Sequence, residues 1–196
     1  MERLDFEENQ RLQPLEASIH INRYLLAKQF CNGKKVLDIA CGQGYGSYLM
    51  AHHWGAEFVA GVDISAEAIA AANQYFKHDK VQFCCHPAET VEELFVRESF
   101  DVIISLETIE HLIDPVPFLQ ALKRLVKSDG IIILSCPNDH WYFPEEDQRN
   151  PFHIRKYTFD EFKDISESVL GSAKVFMMGT PISGFVNFNI EDPMVG

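Results

Sequence analysis

The sequence predicts a doubly wound α/β fold, in which a mostly parallel sheet of seven strands carries helices on both faces. Short apolar runs alternate along the chain with amphipathic stretches of helical length, the pattern of strands joined by crossover helices. The run VLDI at 36–39 leads into a glycine-rich turn, ACGQGYG, that opens a helix. Acidic side chains accompany the first two runs, at Asp38 and Asp63. These features predict a ligand site at the carboxyl edge of the sheet.

Apolar periodicity and turn residues define the elements of the first half. Residues 1–33 are polar and then amphipathic up to Asn32-Gly33, so we expect an N-terminal helical segment before a domain at 34–196, both within one compact unit. Ser65 is the expected N-cap of the second crossover helix. The predicted elements are the strands Lys35–Ala40, Phe58–Asp63, Val81–Cys85 and Asp101–Ser105, the helices 45–53 and 66–76, and a short helical piece at 92–95.

In the second half, Asp114 is the expected cap of a helix with Pro115 at its first position. The connection 137–157 is long and rich in aromatic residues, and we expect it to fold over the site. Thr158 and Glu161 form a capping box for the last helix. The predicted elements are a helix to Leu125, a turn at Asp129-Gly130, a strand at Ile131–Ser135, a helix to Leu170 ended by Gly171, and an antiparallel pair of strands at Ala173–Met178 and Gly184–Asn189.

Bulk composition limits the functions that the chain can have. With 17 basic and 29 acidic residues, the formal net charge of −12 argues against a nucleic-acid partner, because phosphate binding needs a basic face. Five cysteines without a regular spacing predict reduced thiols in a cytoplasmic protein. No apolar stretch approaches the roughly 18 residues of a membrane span, and the first residues lack a signal-peptide pattern. The expected partner is a small molecule, and the oligomeric state stays open.

The acid beside the glycine turn decides between cofactor classes. A dinucleotide rests its pyrophosphate on such a turn, and a neighbouring carboxylate at Asp38 would repel it. The third glycine, Gly46, also comes one residue too early for that class. S-adenosylmethionine carries a sulfonium and an ammonium, and it offers a ribose to Asp63. A purely structural aspartate beside a glycine turn is the alternative.

Three motifs in this order, VLDIACGQGYGS, GVDIS and DVIISLETIEHL, resemble those of class I S-adenosylmethionine-dependent methyltransferases. The similarity runs from about Tyr24 to about Phe162 and is strongest to the bacterial branch related to ubiquinone-pathway O-methyltransferases. It implies the strand order 3-2-1-4-5-7-6 with the last strand antiparallel, and an N-terminal helix, residues 1–33, that acts as a lid.

The resemblance also implies roles for matching positions. The glycine turn approaches the methionine portion, Asp38 balances the positive charge, and Asp63 takes the ribose hydroxyls. One position departs from the pattern: many relatives have an acid that accepts from the adenine amine where this chain has Pro87, and Glu89 is a possible substitute. The cofactor-binding residues so implied are Tyr24, Asp38, Ala40, Gly42, Gly44, Asp63, Ile64 on the adenine face, Ala88 through its N–H, Glu89, and Leu106 through its carbonyl.

A hydroxyl acceptor would benefit from a base that takes its proton or from a metal ion that lowers its pKa. Glu107, Glu110 and His111 fall within one helical turn, and His153 lies in the aromatic connection. We expect His111, Glu107 and His153 to be the catalytic residues. The E-x-x-E-H pattern with a later histidine is similar to metal-assisted methyltransferases, so a divalent ion is an alternative; Glu110 on a solvated face, with His111 holding the loop, is another.

The preferred function is methyl transfer from S-adenosylmethionine to a small-molecule, sugar or lipid-linked acceptor, with oxygen as the accepting atom. Two alternatives remain open from the sequence. One is a non-catalytic S-adenosylmethionine-binding module of a larger protein. The other is an NAD-dependent oxidoreductase, against which Asp38 and the early Gly46 argue.

Overall fold

The α/β fold is confirmed by a computed structural model, which describes residues 14–145 and 150–171. Five parallel strands form one sheet in the order β3-β2-β1-β4-β5. They are β1 Lys35–Ile39, β2 Phe58–Asp63, β3 Val81–Cys85, β4 Phe100–Ser105 and β5 Val126–Leu134. The predicted strands at Ala173–Met178 and Gly184–Asn189 lie outside the described residues, so the seven-stranded order stays a prediction beyond its first five strands.

The helices connect these strands, and their predicted caps are confirmed. The helices are α1 Pro14–Leu25, α2 Lys28–Cys31, α3 Tyr45–His52, α4 Ala66–Tyr75, α5 Pro115–Leu125, α6 Asp139–Tyr142 and α7 Phe159–Leu170, with 3₁₀ turns at Ala88–Glu93 and Ile109–His111. The Ser65 hydroxyl accepts the Ala68 N–H, and the Asp114 carboxylate accepts the Val116 N–H. Thr158 and Glu161 form the complete capping box. These contacts span two or three residues, which is why sequence alone predicted them.

The sheet is buried on both faces, each against its own hydrophobic cluster. Leu37 and Ile39 of β1 point to the cluster that contains residues of α5, with α7 packed on it. Val36, one residue before Leu37, points to the opposite cluster with Tyr24 of α1 and Met50 of α3. Because side chains alternate along a strand, this parity fixes where every polar residue of β1 points.

The N-terminal segment differs from the single amphipathic run that the sequence predicted. It breaks into α1 and α2, and Tyr24, Ala27 and Cys31 are buried in the second core cluster with Val36. These side chains therefore help to build the domain core. The division into a lid at 1–33 and a domain at 34–196 stays a prediction.

The fifth strand begins earlier than the predicted Ile131. Its pairing steps from Phe100↔Val126 to Val102↔Ile131, so the chain bulges between these two pairs. The predicted turn at Asp129-Gly130 is part of this bulge. A Cβ at Gly130 would lie 2.9 Å from the Asp101 carbonyl oxygen, so the close approach of β4 excludes a side chain there.

Candidate cofactor and catalytic site

A cavity of about 350 Å³ opens at the carboxyl ends of the first four strands. The strand order reverses between β1 and β4, and parallel α/β sheets bind their ligands at such a reversal. The volume is in the range of small-molecule sites. The predicted site residues that line the cavity are Tyr24, Ala40, Gly42, Asp63, Ile64, Ala88, Glu89, Leu106, Glu107 and His111. Three other predicted residues, Asp38, Gly44 and His153, do not line it.

Asp63 ends β2 in the wall of the cavity. One carboxylate oxygen accepts the Gly42 N–H at 2.9 Å, and the other accepts the Ser65 N–H at 2.8 Å. Each oxygen has a further lone pair, so both can still accept a ligand hydroxyl. The Gly42 amide already donates to a negative charge, and a phosphate on this turn would have to compete with that carboxylate. The turn therefore favours a ligand that presents no phosphate group to it.

Asp38 is only 1% exposed and lies behind the cavity wall, so its role in balancing the positive charge of a cofactor stays a prediction. It points to the same face of β1 as Val36, toward α1 and α3, because both are at even positions of the strand. There its carboxylate accepts hydrogen bonds from Tyr24 Oη at 3.0 Å and Ser47 Oγ at 2.6 Å. Tyr24, which donates one of these hydrogen bonds, also lines the cavity.

The environment of Asp38 favours its protonated form. Burial raises the pKa of Asp38 to about 7, hydrogen bonds from Ser47 and Tyr24 oppose the rise, and the charge of Asp63 adds to it. A cation bound in the cavity would favour the ionised carboxylate instead. Asp38 can thus respond to the charge of a ligand without touching it.

The glycines of the turn have different roles. Gly42 has a φ of 56° and lines the cavity. Gly44 does not line it, and its cofactor contact stays a prediction: its φ is 85°, and a Cβ there would lie 2.5 Å from the Phe83 ring. At Gly46 a Cβ would lie 2.2 Å from Cζ of Tyr24. The spacing that argued against a dinucleotide turn therefore has a packing reason, which is room for the Tyr24 ring.

Two non-glycine residues with left-handed backbones face the cavity at the ends of neighbouring strands. Ala40 follows β1 with a φ of 59°, and Glu107 follows β4 with a φ of 53°. This conformation costs an L-residue about 1–2 kcal/mol, and such strain is concentrated at functional sites. Glu107 is held from two sides: Arg23 Nη2 of α1 lies 2.8 Å from its Oε2, and Ser135 Oγ donates to its Oε1 at 2.6 Å.

The end of β3 forms the other end of the cavity, where Ala88 and Glu89 lie in the wall. Ile64, after β2, is 62% exposed beside them. His86 also lines the cavity, although sequence reasoning did not single it out. Its Nε2 lies 3.1 Å from the Thr90 carbonyl oxygen, within the 3₁₀ turn that follows. Its position directly after β3 was the available signal.

Residues of α1 complete the wall. Arg23 and His20 both line the cavity, and neither follows a strand. Burial, with the nearby charge of Arg23, lowers the pKa of His20 to about 4, so its ring is neutral at neutral pH. The cavity thus combines one neutral imidazole and one guanidinium from α1 with the carboxylates of Asp63, Glu89 and Glu107.

His111 lies at the cavity wall beside the end of β4. Its Nδ1 is 2.8 Å from the Phe152 carbonyl oxygen. A carbonyl oxygen only accepts, so Nδ1 must donate, and Nε2 of the neutral ring carries a lone pair. Nε2 lies 3.8 Å from Glu110 Oε1. His111 is thus arranged as a proton acceptor or a cation ligand.

His153 lies behind His111 and does not line the cavity, so its catalytic role stays a prediction. It is 5% exposed, and its ring packs edge-on against that of His111 with centroids 4.9 Å apart. Its Nδ1 lies 2.5 Å from Asp139 Oδ2, and Asp139 is buried as well. Sequence reasoning missed Asp139, because 14 residues of irregular connection separate the two and no spacing rule links them.

Glu110 is completely buried, so the interpretation of a solvated Glu110 is wrong. Within the described part of the chain, neither of its carboxylate oxygens has a hydrogen-bond partner. Burial raises the pKa of Glu110 well above its usual range, and the charges of Glu107 and Asp139 add to the rise.

One candidate ligand atom each from Glu110, His111 and His153 lies within 4.8 Å of the others. A buried carboxylate without a partner, beside two imidazoles, fits a divalent cation. Glu107, predicted to join them, pairs with Arg23 instead.

The aromatic connection 137–157 partly fulfils its expected role as a cover. Phe152 lines the cavity, yet it is 54% exposed, and Trp141 is 62% exposed. Tyr157 instead is buried in the first core cluster. Of the helices in the described ranges, none is long and apolar enough to cross a membrane.

Comparison with known proteins places the chain among methyltransferases. A family model described as a methyltransferase domain matches residues 31–174. Over 112 residues the chain is 38% identical to the ubiquinone biosynthesis O-methyltransferase of Glaesserella parasuis, which covers 54% of this chain and 46% of that protein. Over 136 residues it is 31% identical to a probable S-adenosylmethionine-dependent methyltransferase of Mycobacterium tuberculosis, covering 69% of this chain and 47% of that protein.

The fold is similar to that of solved structures as well. The phosphoethanolamine N-methyltransferase 2 of Haemonchus contortus, in complex with S-adenosyl-L-methionine, aligns with a TM-score of 0.62 at 22% identity, over 76% of this chain and 36% of that one. At this identity the likeness concerns the fold alone. The chain spans about half the length of the curated relatives that it matches.

Proposed function

This chain belongs to the methyltransferase domain family, among the class I S-adenosylmethionine-dependent methyltransferases, and from that premise we propose that it transfers a methyl group from S-adenosylmethionine to a small-molecule, sugar or lipid-linked acceptor, at an oxygen atom. The observation that carries the proposal is the contact between Asp63 and Gly42 in the cavity wall. It occupies the turn amide that a phosphate would need, and it leaves lone pairs for ribose hydroxyls.

The strand order suggests how the cofactor lies. With the ribose on Asp63 at the end of β2, the base extends over β3, toward Ala88, Glu89 and Ile64. The methionine portion extends the other way, over β1 and β4, toward Gly42 and Leu106. There the Arg23 guanidinium is available to the carboxylate of methionine, and Glu107 and the Leu106 carbonyl to its ammonium. Tyr24 separates this end from Asp38.

Methyl transfer is an in-line displacement. The acceptor oxygen attacks the methyl carbon, the carbon–oxygen bond forms as the carbon–sulfur bond breaks, and the electron pair returns to sulfur to give the neutral thioether. The donor is already activated, so the protein mainly aligns the two reactants and excludes water. The hydroxyl proton must leave, and in this proposal Nε2 of His111 accepts it; the Nδ1 contact with the Phe152 carbonyl, which leaves Nε2 unprotonated in the neutral ring, supports this role.

A divalent cation is the second way to activate the acceptor, because it would lower the pKa of the hydroxyl. Glu110, His111 and His153 would hold it, and the unpartnered Glu110 carboxylate favours that arrangement. When bound, the cation would supply Lewis-acid stabilisation of the acceptor oxygen. In either case His111 and His153 support the acceptor side of the cavity, opposite the base-binding end.

Titration calorimetry with S-adenosylhomocysteine, S-adenosylmethionine and NAD tests the cofactor. We expect the first two to bind and NAD not to bind. Asp63→Asn should weaken S-adenosylhomocysteine binding about 10- to 100-fold, because charged hydrogen bonds contribute about 1.5–3 kcal/mol. Asp101→Asn is the matched control: Asp101 pairs with Lys127 at the opposite edge of the sheet, so its loss should leave affinity unchanged. Binding of NAD, or equal effects of the two variants, would refute the assignment.

Turnover is measured as S-adenosylhomocysteine release with a panel of catechols, sugars and prenylated phenols. We expect release with at least one hydroxyl acceptor and at least a tenfold loss in His111→Asn. Running the assay with EDTA, then with Mg²⁺ or Mn²⁺, distinguishes a base from a cation mechanism. Cofactor binding without turnover of any acceptor would favour the non-catalytic binding module instead.

A further inference from the structure

We propose that Asp139 is a positioning residue for the acceptor side of the site, where it fixes His153 in the tautomer that carries its proton on Nδ1. This inference rests on the proposed function, since it concerns how the two histidines are prepared for their role. A base at His111 needs an imidazole nitrogen without a proton, and a cation held by both histidines needs one on His153 as well. Asp139 would supply that condition for His153, as the Phe152 carbonyl does for His111.

The contact between Asp139 and His153 is short and buried, so it can fix the tautomer of the ring. Oδ2 of Asp139 lies 2.5 Å from Nδ1 of His153, and both side chains are at least 95% buried. A carboxylate accepts hydrogen bonds, so the proton of the neutral ring belongs on Nδ1 and Nε2 keeps its lone pair. A buried carboxylate that orients a histidine in this way sets both the tautomer and the ring orientation.

The short turn at 150–153 positions two groups: the Phe152 carbonyl, which contacts His111, and the His153 ring, which contacts Asp139. The His153 N–H donates to the Asn150 carbonyl, and the Phe152 N–H donates to the Asn150 side chain, both at 3.0 Å. The Phe152 carbonyl orients His111, and the next residue in the chain is His153. Because the two imidazoles also pack edge-on at 4.9 Å, rotation of His153 would disturb His111. Asp139 therefore acts on the cavity wall through His153 and its ring contact.

A merely structural role for Asp139 makes a different prediction. Asp139 lies in the first turn of the four-residue helix α6, and its carbonyl accepts the Phe143 N–H. If its carboxylate only stabilised this segment, its removal would lower the unfolding free energy and leave the histidine tautomers unchanged. The tautomer is thus the readout that separates the two roles.

Nitrogen NMR of the ¹⁵N-histidine-labelled protein provides that readout, with His153→Gln used to assign the signal. In the unmodified protein we expect His153 to be the Nδ1–H tautomer. In Asp139→Asn, whose amide can present either oxygen or N–H₂, and in Asp139→Ala, which presents neither, we expect a mixture or the Nε2–H tautomer. In addition, kcat for any acceptor found above should fall about 10- to 100-fold while the dissociation constant of S-adenosylhomocysteine stays within about twofold.

Asp114→Asn is the matched control, because it makes the same change of side chain only three residues after His111. In the described structure the Asp114 carboxylate caps α5 by accepting the Val116 N–H. The control variant should move neither tautomer nor kcat. An Nε2–H tautomer in the unmodified protein, which needs no variant to observe, overturns the proposal. So does an Nδ1–H tautomer that persists in both Asp139 variants. Failure to find any acceptor refutes the proposed function but leaves the tautomer result intact.

Discussion

Asp38 has an environment that its position in the motif does not suggest. It lies in the strand before the glycine turn, but the parity of β1 turns it into the core between α1 and α3. Its two donors, Tyr24 and Ser47, satisfy the carboxylate only partly, since burial still raises its pKa to about 7. The residue therefore stores an electrostatic cost in the ligand-free protein.

That cost predicts a pH dependence of stability. The folded state holds a proton on Asp38 between pH 3.8, the pKa of an ordinary aspartate, and about 7, whereas the unfolded chain has released it. The free energy of unfolding should therefore contain a component that falls as the pH rises from about 4 to about 7 and levels off above it. Asp38→Asn should lack this component. Urea unfolding across that range measures both.

The comparison between the two proteins is the control, since every other titrating group is shared. The unfolding free energy of the variant should gain on that of the unmodified protein as the pH rises. A difference that stays constant from pH 4 to pH 7.5 would show that the carboxylate is not buried in this way.

Gly46 lets α1 dock closely on α3, because the Tyr24 ring of α1 packs where a side chain at position 46 would lie. Helix propensity alone predicts that Gly46→Ala stabilises α3 by about 0.5–1 kcal/mol. The Tyr24 ring, however, occupies the place of the added methyl group, at 2.2 Å from the Cβ position. We therefore expect Gly46→Ala to destabilise the protein by about 1–3 kcal/mol, as overpacking does, and to weaken S-adenosylhomocysteine binding.

A double-mutant cycle checks the cause of this effect. In a Tyr24→Ala background the clash is gone, so the same Gly46→Ala change should become neutral or stabilising. Chemical denaturation of the four proteins gives the coupling energy. If Gly46→Ala has the same effect in both backgrounds, the Tyr24 ring is not what requires a glycine.

At the scale of the whole molecule, one ion pair joins the N-terminal helix to the opposite wall of the cavity. Arg23 of α1 meets Glu107 after β4 at 2.8 Å, with both side chains mostly buried. Arg23→Gln should therefore speed S-adenosylhomocysteine dissociation about tenfold, an estimate kept below that for fully buried pairs because the side chains retain some exposure. Stopped-flow displacement of the cofactor product measures this rate.

Lys127→Gln is the control for that experiment. Lys127 and Asp101 form a pair of equal length and similar exposure at the far edge of the sheet. Its loss should change stability slightly and leave the dissociation rate alone. Equal rates in Arg23→Gln and the unmodified protein would mean that α1 does not hold the cofactor in the cavity.

The elements that depend on near neighbours could be predicted from the amino-acid sequence. Strands β1 to β4 and helices α3, α4, α5 and α7 match their predicted bounds within one residue at either end, and the caps at Ser65, Asp114 and Thr158 hold. Apolar periodicity and capping are properties of a few consecutive residues. The ligand-facing ends of β2, β3 and β4 followed as well, since parallel strands bring their carboxyl ends to one edge.

The folded arrangement was needed to show which polar side chains line the cavity and which lie behind its wall. Asp38 and Gly44 serve the packing of α1 and β3, His153 lies behind His111, and Glu110 is buried instead of solvated. No sequence pattern indicated that Asp139 would contact His153, since the contact joins two residues 14 apart in an irregular connection. The physical reason is that burial and hydrogen-bond partnership arise between residues far apart in the chain, and no local pattern specifies which distant atoms will surround a given carboxylate or imidazole.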